Sequence, residues 1–128
     1  MIDAKELRIG NLVKSVYAPY GHPQDSKMEV VDIHILERIN DYRPSDNFIY
    51  YPINITPEII EKCGFQHTHF GNFYRIDNGK FSPWLEWEGD FFDVMVGDPE
   101  YSIGELKYVH QLQNIYFILC GEELQVNI

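Results

Sequence analysis

Short segments in which apolar and polar residues alternate fill the first part of the chain, and this period of two predicts β-strands. The first segment is NLVKSVY, residues 11–17, and the second is MEVVDIHILERI, residues 28–39, which is rich in β-branched residues. The third is FIYYPINI, residues 48–55, in which Pro52 indicates an edge strand or a strand end. Three short strands on a twisted sheet predict a small SH3-like β unit over residues 7–55.

The segment INITPEIIEKCGF carries the signals that begin and end a short helix. Thr56 is placed to cap the helix, and Pro57 follows at the first helical position, where its missing N–H costs nothing. Ile55 and Ile60 have the spacing of a hydrophobic staple, and Gly64 is the expected left-handed residue at the end. We therefore predict a short helix that links the N-terminal β unit to the rest of the chain.

Turn sequences divide the next part of the chain into an antiparallel β-meander. Gly71 and Asn72 form the first predicted turn, Asn78 and Gly79 form the second, and residues 88–90 form the third. Aromatic and β-branched residues fill the segments between these turns, as is typical of strands.

A helical period returns in residues 103–120 and predicts a closing helix that ends at Gly121. Residues 124–128 are then a candidate last strand. At about 100° per residue, most apolar side chains of this helix fall on one stripe that should face the core. The stripe consists of Tyr108, Val109, Leu112, Ile115, Tyr116, Leu119 and Cys120. The opposite side, expected to be solvated, gathers Lys107, His110, Gln111 and Asn114. Phe117 and Ile118 interrupt that polar side, so we expect a covering strand or a second chain there.

Together these elements predict an α+β fold in which the antiparallel meander packs on the C-terminal helix. A length of 128 residues, of which 45% are hydrophobic and 15% aromatic, suits one domain with its own core and excludes a disordered chain. We therefore predict a single domain over residues 1–128, with a β-rich N-terminal unit at 1–55 and a second unit at 56–128.

The charge of the chain is strongly acidic, with ten Lys and Arg against twenty Asp and Glu and a formal net charge of −10. Binding to nucleic-acid phosphates requires clustered basic residues, so direct nucleic-acid binding is not expected. No Lys or Arg lies between Phe81 and Leu106, a stretch that holds most of a predicted acidic face. That face consists of Glu86, Glu88, Asp90, Asp93, Asp98 and Glu100. It is either a solvated surface or a surface that meets a basic partner.

Aromatic residues interleave with these carboxylates. Alternation places Trp87 on the face opposite Glu86 and Glu88, whereas Phe91 and Phe92 must point to opposite faces, so one of them is expected to be exposed. An exposed aromatic residue rimmed by acidic ones is typical of a protein-binding patch. The candidate partner surface consists of Trp84, Trp87, Phe91, Phe92, Phe117 and Ile118.

Signals for chemistry are few. His67 and His69 would share one face of a strand and are the candidate metal ligands, but no second Cys or His pair has zinc-site spacing. Neither a nucleophile elbow nor a glycine-rich phosphate loop occurs in the sequence. The cysteines, Cys63 and Cys120, each precede a glycine at a predicted helix end and are interpreted as reduced core residues. We therefore expect no catalytic residue and no cofactor.

Three stretches, ELRIGNLV, ITPEIIEKCGF and YVHQLQNIYFILCGEEL, together resemble a family of small uncharacterised proteins encoded by Bacteroidetes bacteria, their phages and their mobile elements. The resemblance spans most of the chain and implies a cytoplasmic protein of phage or prophage origin. Because no activity is assigned to that family, no residue role can be carried over. The charged start of the chain and the short apolar runs also favour a cytoplasmic protein without a signal peptide or membrane span.

Three functional interpretations remain open at this point. The first is a non-catalytic accessory protein that binds another protein or a second copy of itself. The second is an acidic mimic of nucleic acid that occupies the basic groove of a partner. The third is a small metal-dependent enzyme, which would need a pocket where histidines or carboxylates converge.

Overall fold

The fold is given by a computed structural model, which describes residues 2–19, 22–43, 47–68, 71–76, 83–96 and 101–128. The chain divides into two compact units, Met1–Ile53 and Asn54–Ile128. That the two units form one domain stays a prediction. No helix within the described residues is both long enough and apolar enough to cross a membrane.

The first unit is built on an antiparallel sheet of three strands. The strands are β1 (Leu12–Tyr17), β2 (Asp25–Val30) and β3 (Phe48–Tyr51), and their order is β2-β1-β3. A 3₁₀ turn (Ala4–Glu6) precedes the sheet, and helix α1 (Ile33–Asn40) lies between β2 and β3 in the chain. The β-rich character is as predicted. Over the described residues, however, the unit is a three-stranded sheet with a helix rather than a closed barrel of the SH3 kind.

The second predicted strand is wrong in its C-terminal half, where residues 33–40 form α1. Asp32 is the reason, because its side-chain oxygen accepts a hydrogen bond from the Ile35 backbone N–H at 2.9 Å and so caps a helix. Ile35 and Ile39, four residues apart, are then buried together on one side of that helix. Ile33 lies outside this buried side and is exposed.

In the second unit, the linking helix has the predicted ends. Helix α2 spans Pro57–Lys62, and the Thr56 hydroxyl accepts a hydrogen bond from the Ile59 N–H at 3.3 Å. Gly64 has a φ of +95°, which a side chain would strain. The Gly64 and Phe65 N–H groups donate to the carbonyls of Glu61 and Ile60, which is the double hydrogen bond of a Schellman motif.

The predicted meander is confirmed as an antiparallel sheet of five strands in sequential order. The strands are β4 (Gln66–His67), β5 (Phe73–Arg75), β6 (Trp84–Trp87), β7 (Phe92–Val96) and β8 (Tyr101–Leu106). Gly71 lies with a φ of +53° in the first turn, and the Glu88 N–H donates to the Phe91 carbonyl in the third. The predicted turn at Asn78 and Gly79 lies outside the described residues.

The closing helix is shorter than predicted, since residues 101–106 form β8 and helix α3 spans only Val109–Cys120. The helix starts where the side chain of Gln111 folds back, so that its Oε1 accepts from the N–H groups of Lys107 and Tyr108 at 2.8 and 3.1 Å. Its end at Gly121, with a φ of +72°, is as predicted. The candidate last strand at 124–128 is wrong, because these residues form no strand.

Helix α3 packs on one face of the meander and forms the core of the second unit. The buried cluster includes Phe65, Tyr74, Leu85, Phe92, Val94, Leu106, Leu112 and Tyr116. His110 departs from the prediction of a solvated residue, because only 1% of its surface is exposed and its ring stacks on that of Tyr108. Gln113 is buried as well, so the polar side of this helix is narrower than the sequence indicates.

Candidate functional site

The two faces of the five-stranded sheet differ in chemistry. Residues directly opposite each other on neighbouring strands share a face, and this relation sorts the side chains. The pair Leu85 and Val94 lies on the inner face, which is buried against α3. The pair Glu86 and Asp93 lies on the outer face.

A β-bulge in β8 turns one isoleucine toward the helix. Val94 pairs with Gly104, but the next residue, Met95, pairs with Ser102, so Ile103 is the extra residue between the two pairs. Gly104, with a φ of +153°, allows this irregularity. Ile103 therefore reaches the same side of the sheet as Val94.

Ile103 lines a groove of about 310 Å³ between the edge of the sheet and α3. The other apolar side chains of this groove are Val94, Leu106, Ile115 and Ile118, and its polar residues are Glu105, Gln111 and Asn114. Ile118 is 73% exposed and Ile103 is 47% exposed, which makes them two of the most exposed large apolar residues in the second unit. The groove thus leaves an apolar surface in water.

Strand β8 forms one edge of the sheet beside this groove. Across the part of the second unit that the structure describes, its only hydrogen-bonded neighbour is β7. Ser102, Ile103, Gly104 and Glu105 are all exposed. Just beyond β8, the Ile55 N–H donates to the Lys107 carbonyl at 2.9 Å. Pairing is already satisfied at that point, so the accessible edge lies within β8, where residues 102–105 are exposed.

A row of carboxylates crosses the outer face of the sheet. Glu86 pairs with Asp93, and Asp93 pairs with Glu105, so these three side chains stand on adjacent strands β6, β7 and β8. We call Glu86, Asp93 and Glu105 the acidic row. It begins at the accessible edge of β8 and runs toward the middle of the sheet.

Glu88 extends the acidic row with a carboxyl group in close contact. A hydrogen bond with the Glu86 carboxyl, burial and the Glu86 charge raise the pKa of Glu88. Burial and the nearby Glu88 charge raise the pKa of Asp93, opposed by a hydrogen bond from Ser102. The charge of a neighbouring carboxylate contributes to both raised pKa values, so these carboxyl groups lie close together and give the outer face a concentrated negative charge.

The predicted aromatic surface is only partly exposed. Phe92 is completely buried and so cannot contact a partner, whereas Trp87 is half-buried and packs against the core. Their rings contact each other, with centroids 4.7 Å apart. Trp84 is half-buried on the outer face, where the Arg75 guanidinium lies 4.9 Å from the centre of its ring. Phe91, in the turn between β6 and β7, is half-buried.

Of the predicted acidic residues, the structure brings together Glu86, Glu88 and Asp93, and leaves Asp90 exposed in a turn. Asp98 and Glu100 lie outside the described residues. The prediction did not join Glu105 to the acidic face and missed Ile103 in the groove, because both were assigned to the beginning of a helix. Gly104 is the signal that could have located them, since a glycine inside a strand pattern often marks a bulge.

Only one of the two candidate metal ligands, His67, lies in the described residues. His67 is exposed on β4, its Nε2 lies 2.7 Å from the Gly71 carbonyl oxygen, and its ring stacks on Tyr74. His69 lies outside the described residues. Elsewhere in the described part of the chain, no three His, Cys, Asp or Glu side chains are arranged to hold a metal ion. Burial raises the pKa of the Cys63 thiol to about 11.

The first unit carries a larger pocket of about 480 Å³ between β2 and α1. Its lining includes Lys27, Glu29, Asp32, His34 and Arg38, and Lys27 forms an ion pair with Glu29 at 3.1 Å. Side chains of both signs line this pocket, so its charge favours neither an anionic nor a cationic ligand. The groove beside β8 has the more apolar lining.

Comparisons of the chain with protein-family models, with curated proteins and with solved structures find no match. The resemblance to the Bacteroidetes family therefore stays a prediction.

Proposed function

We propose that the chain is a non-catalytic protein-interaction protein whose docking site is the groove between β8 and α3. The observation that carries this proposal is the exposure of Ile103 and Ile118 in one groove beside an accessible strand edge. Ile103 lies in β8, which is paired with β7, and Ile118 lies in α3, which packs on the core, so the surface is formed before any partner arrives.

Burial of that apolar surface would supply the binding free energy. Transfer of apolar surface from water contributes roughly 25 cal/mol per Å², and a few well-packed side chains carry most of the affinity at protein interfaces. Ile118 projects beside the groove, where a partner can enclose it. Ile115, half-buried and packed against the core, forms the floor of the groove.

The proposal is tested by selecting displayed random peptides on the wild-type chain. The enriched peptides are then measured against the double variant Ile103→Asp with Ile118→Asp. The matched control is Val30→Asp with Ile33→Asp, which adds the same charge at exposed apolar residues of the first unit. We expect ligands that bind the wild type and the control but not the groove variant. If no enriched peptide depends on the groove, the proposal is wrong.

The acidic row supports a second candidate, an acidic mimic that occupies the basic groove of a nucleic-acid-binding protein. Its distinguishing test uses the same variants with a panel of such proteins. A mimic would bind the Ile103→Asp and Ile118→Asp variant as well as the wild type. It would lose binding when Glu86 and Asp93 are changed to Gln and Asn, and its affinity would fall steeply with salt.

A further inference from the structure

We propose that the occupant of the groove is an extended segment of a partner protein that pairs with β8 as a sixth strand and alternates apolar and basic residues. This inference rests on the proposed function, because it names the chemistry of the ligand at the same site. Addition of a strand to a sheet edge is a general mode of peptide recognition, in which the main chain supplies affinity and the side chains supply specificity.

The accessible edge of β8 sets the conformation of the ligand. An edge strand presents backbone N–H and C=O groups that another strand can pair with. An extended segment beside residues 101–106 satisfies these groups. A helix in the same place could not pair with the backbone N–H and C=O groups of this edge, which would stay hydrogen-bonded to water.

The two sides of the sheet set the side-chain pattern of the ligand. Successive side chains of a strand point to opposite faces. On the inner side, a side chain of the added strand enters the groove against Ile103 and Ile118. On the outer side, the next side chain lies beside Glu105, with Asp93 one strand further in. The ligand side chains on the outer side are therefore basic, and those on the inner side are apolar.

Charge also decides between a foreign segment and a second copy of this chain. If β8 paired with β8 of another copy, two carboxylates of Glu105 and two acidic rows would share one continuous sheet face. The chain carries a net charge of −10, so association of two copies also opposes long-range repulsion. A basic segment is attracted by the same charges.

The experiment uses a synthetic peptide of alternating Lys and Ile or Val, labelled and titrated with the full chain. Two comparison peptides complete the set. One has the same composition with its lysines and its apolar residues in separate blocks, and the other has Glu in place of Lys. We expect the alternating Lys peptide to bind at least about tenfold more tightly than either comparison peptide, because only it fits both faces at once.

Protein variants locate the bound peptide. Ile118→Asp should weaken binding by about tenfold, as expected at the centre of a small interface. Glu105→Gln should weaken it by about two- to fivefold, the size of a partly exposed ion pair, and should reduce the dependence on salt. Val30→Asp, an exposed apolar residue of the first unit, should leave the affinity unchanged.

Backbone methylation tests strand pairing directly. In a strand, the N–H groups of alternate residues point to opposite edges. Methylation of one alternate set of peptide nitrogens should abolish binding, and methylation of the other set should be tolerated. Equal tolerance of both sets, or equal binding of the block peptide, would overturn the inference.

The outcomes separate the two proposals. If displayed peptides of another pattern bind in a manner that depends on Ile103 and Ile118 while the alternating Lys peptide does not, the strand inference fails and the docking groove stands. If no ligand of any pattern depends on these residues, both proposals fail.

Discussion

Ile103 of β8 and Ile118 of α3 line the same groove, although the sequence pattern assigns both to a single helix. The bulge that displaces Ile103 from the regular pairing of β8 brings it to the helix side of the sheet. The bulge in β8 and the apolar residue on the polar side of α3 therefore form one groove. Either isoleucine by itself would be an ordinary exposed apolar residue.

Exposed and buried residues of α3 should respond differently to truncation. Leu112→Ala removes a completely buried side chain of the core and should lower the free energy of unfolding by about 2–5 kcal/mol. Ile118→Ala shortens a largely exposed side chain and should change the free energy of unfolding by less than about 0.5 kcal/mol. Urea denaturation of both variants checks this. A large loss of stability for Ile118→Ala would mean that the residue packs against the core and is not open to a ligand.

The ends of helix α2 should each contribute a measurable amount to stability. Thr56→Ala removes the hydroxyl that accepts from the Ile59 N–H and should lower the free energy of unfolding by about 1 kcal/mol. Thr56→Ser keeps a hydroxyl and should retain most of that stability. Denaturation with urea compares the two variants. If Thr56→Ala and Thr56→Ser are equally stable, the hydrogen bond at the start of the helix contributes nothing to stability.

At the other end of α2, Gly64→Ala introduces a side chain at a φ of +95° and should cost about 1–2 kcal/mol. Its Cβ would also lie 3.3 Å from the Ile76 Cδ1, which adds a close contact. Gly10→Ala is a useful comparison in the first unit. Gly10 has a similar φ of +97°, and nothing lies within 4 Å of its added Cβ. The difference between the two variants measures the contact with Ile76.

The carboxyls of Glu88 and Asp93 predict a dependence of stability on pH. Their pKa values are raised in the folded chain above the ordinary 4.5 and 3.8, so the folded state holds these protons more tightly than the unfolded state does. Their contribution therefore stabilises the fold at low pH and is lost as the pH rises from the ordinary values through the raised ones. Glu88→Gln should be more stable than the wild type at neutral pH and lose that advantage near pH 4.

The control for this experiment is Asp90→Asn, which removes one negative charge from the adjacent turn. Unfolding free energies of the wild type and both variants are measured across the acidic range. The account is contradicted if Asp90→Asn reproduces the pH dependence of Glu88→Gln, because the effect would then reflect net charge rather than contact with Glu86.

The two cysteines should differ in reactivity. With a pKa of about 11, the buried Cys63 thiol ionises to roughly one part in a thousand at pH 8, compared with about one part in four for an ordinary thiol. Cys120 is half-buried at the end of α3 and should be alkylated first. In the Cys120→Ser variant, Cys63 should be labelled only when the chain unfolds. Rapid labelling of Cys63 in the folded chain would show that this part of the core opens easily.

Local signals predict the short helix and the meander correctly because the chemistry of each turn lies within a few residues. Thr56, Pro57 and Gly64 determine where α2 begins and ends, whatever packs on it. The alternation of Leu85 and Trp87 with Glu86 likewise predicts which strand face is buried.

Tertiary context decides where the predictions fail. Residues 31–35 alternate with the period of a strand, but the Asp32 cap and the burial of Ile35 and Ile39, four residues apart, favour the helix. At residues 101–106, pairing with β7 overrides the apparent helical pattern. His110 is buried although its helix position and polarity indicate solvent, because the neighbours of a side chain in space are not encoded in its own helix.

The most direct test of the docking groove is methyl NMR of the isoleucines in the full chain, titrated with the alternating Lys and Ile or Val peptide. We predict that the methyl signals of Ile103, Ile115 and Ile118 shift together, and that the backbone amides of β8 that point away from β7 become protected from hydrogen exchange. Ile9 and Ile33, which are equally exposed in the first unit, should not respond. Shifts confined to Ile9 and Ile33, or binding without protection of the β8 amides, would contradict the account.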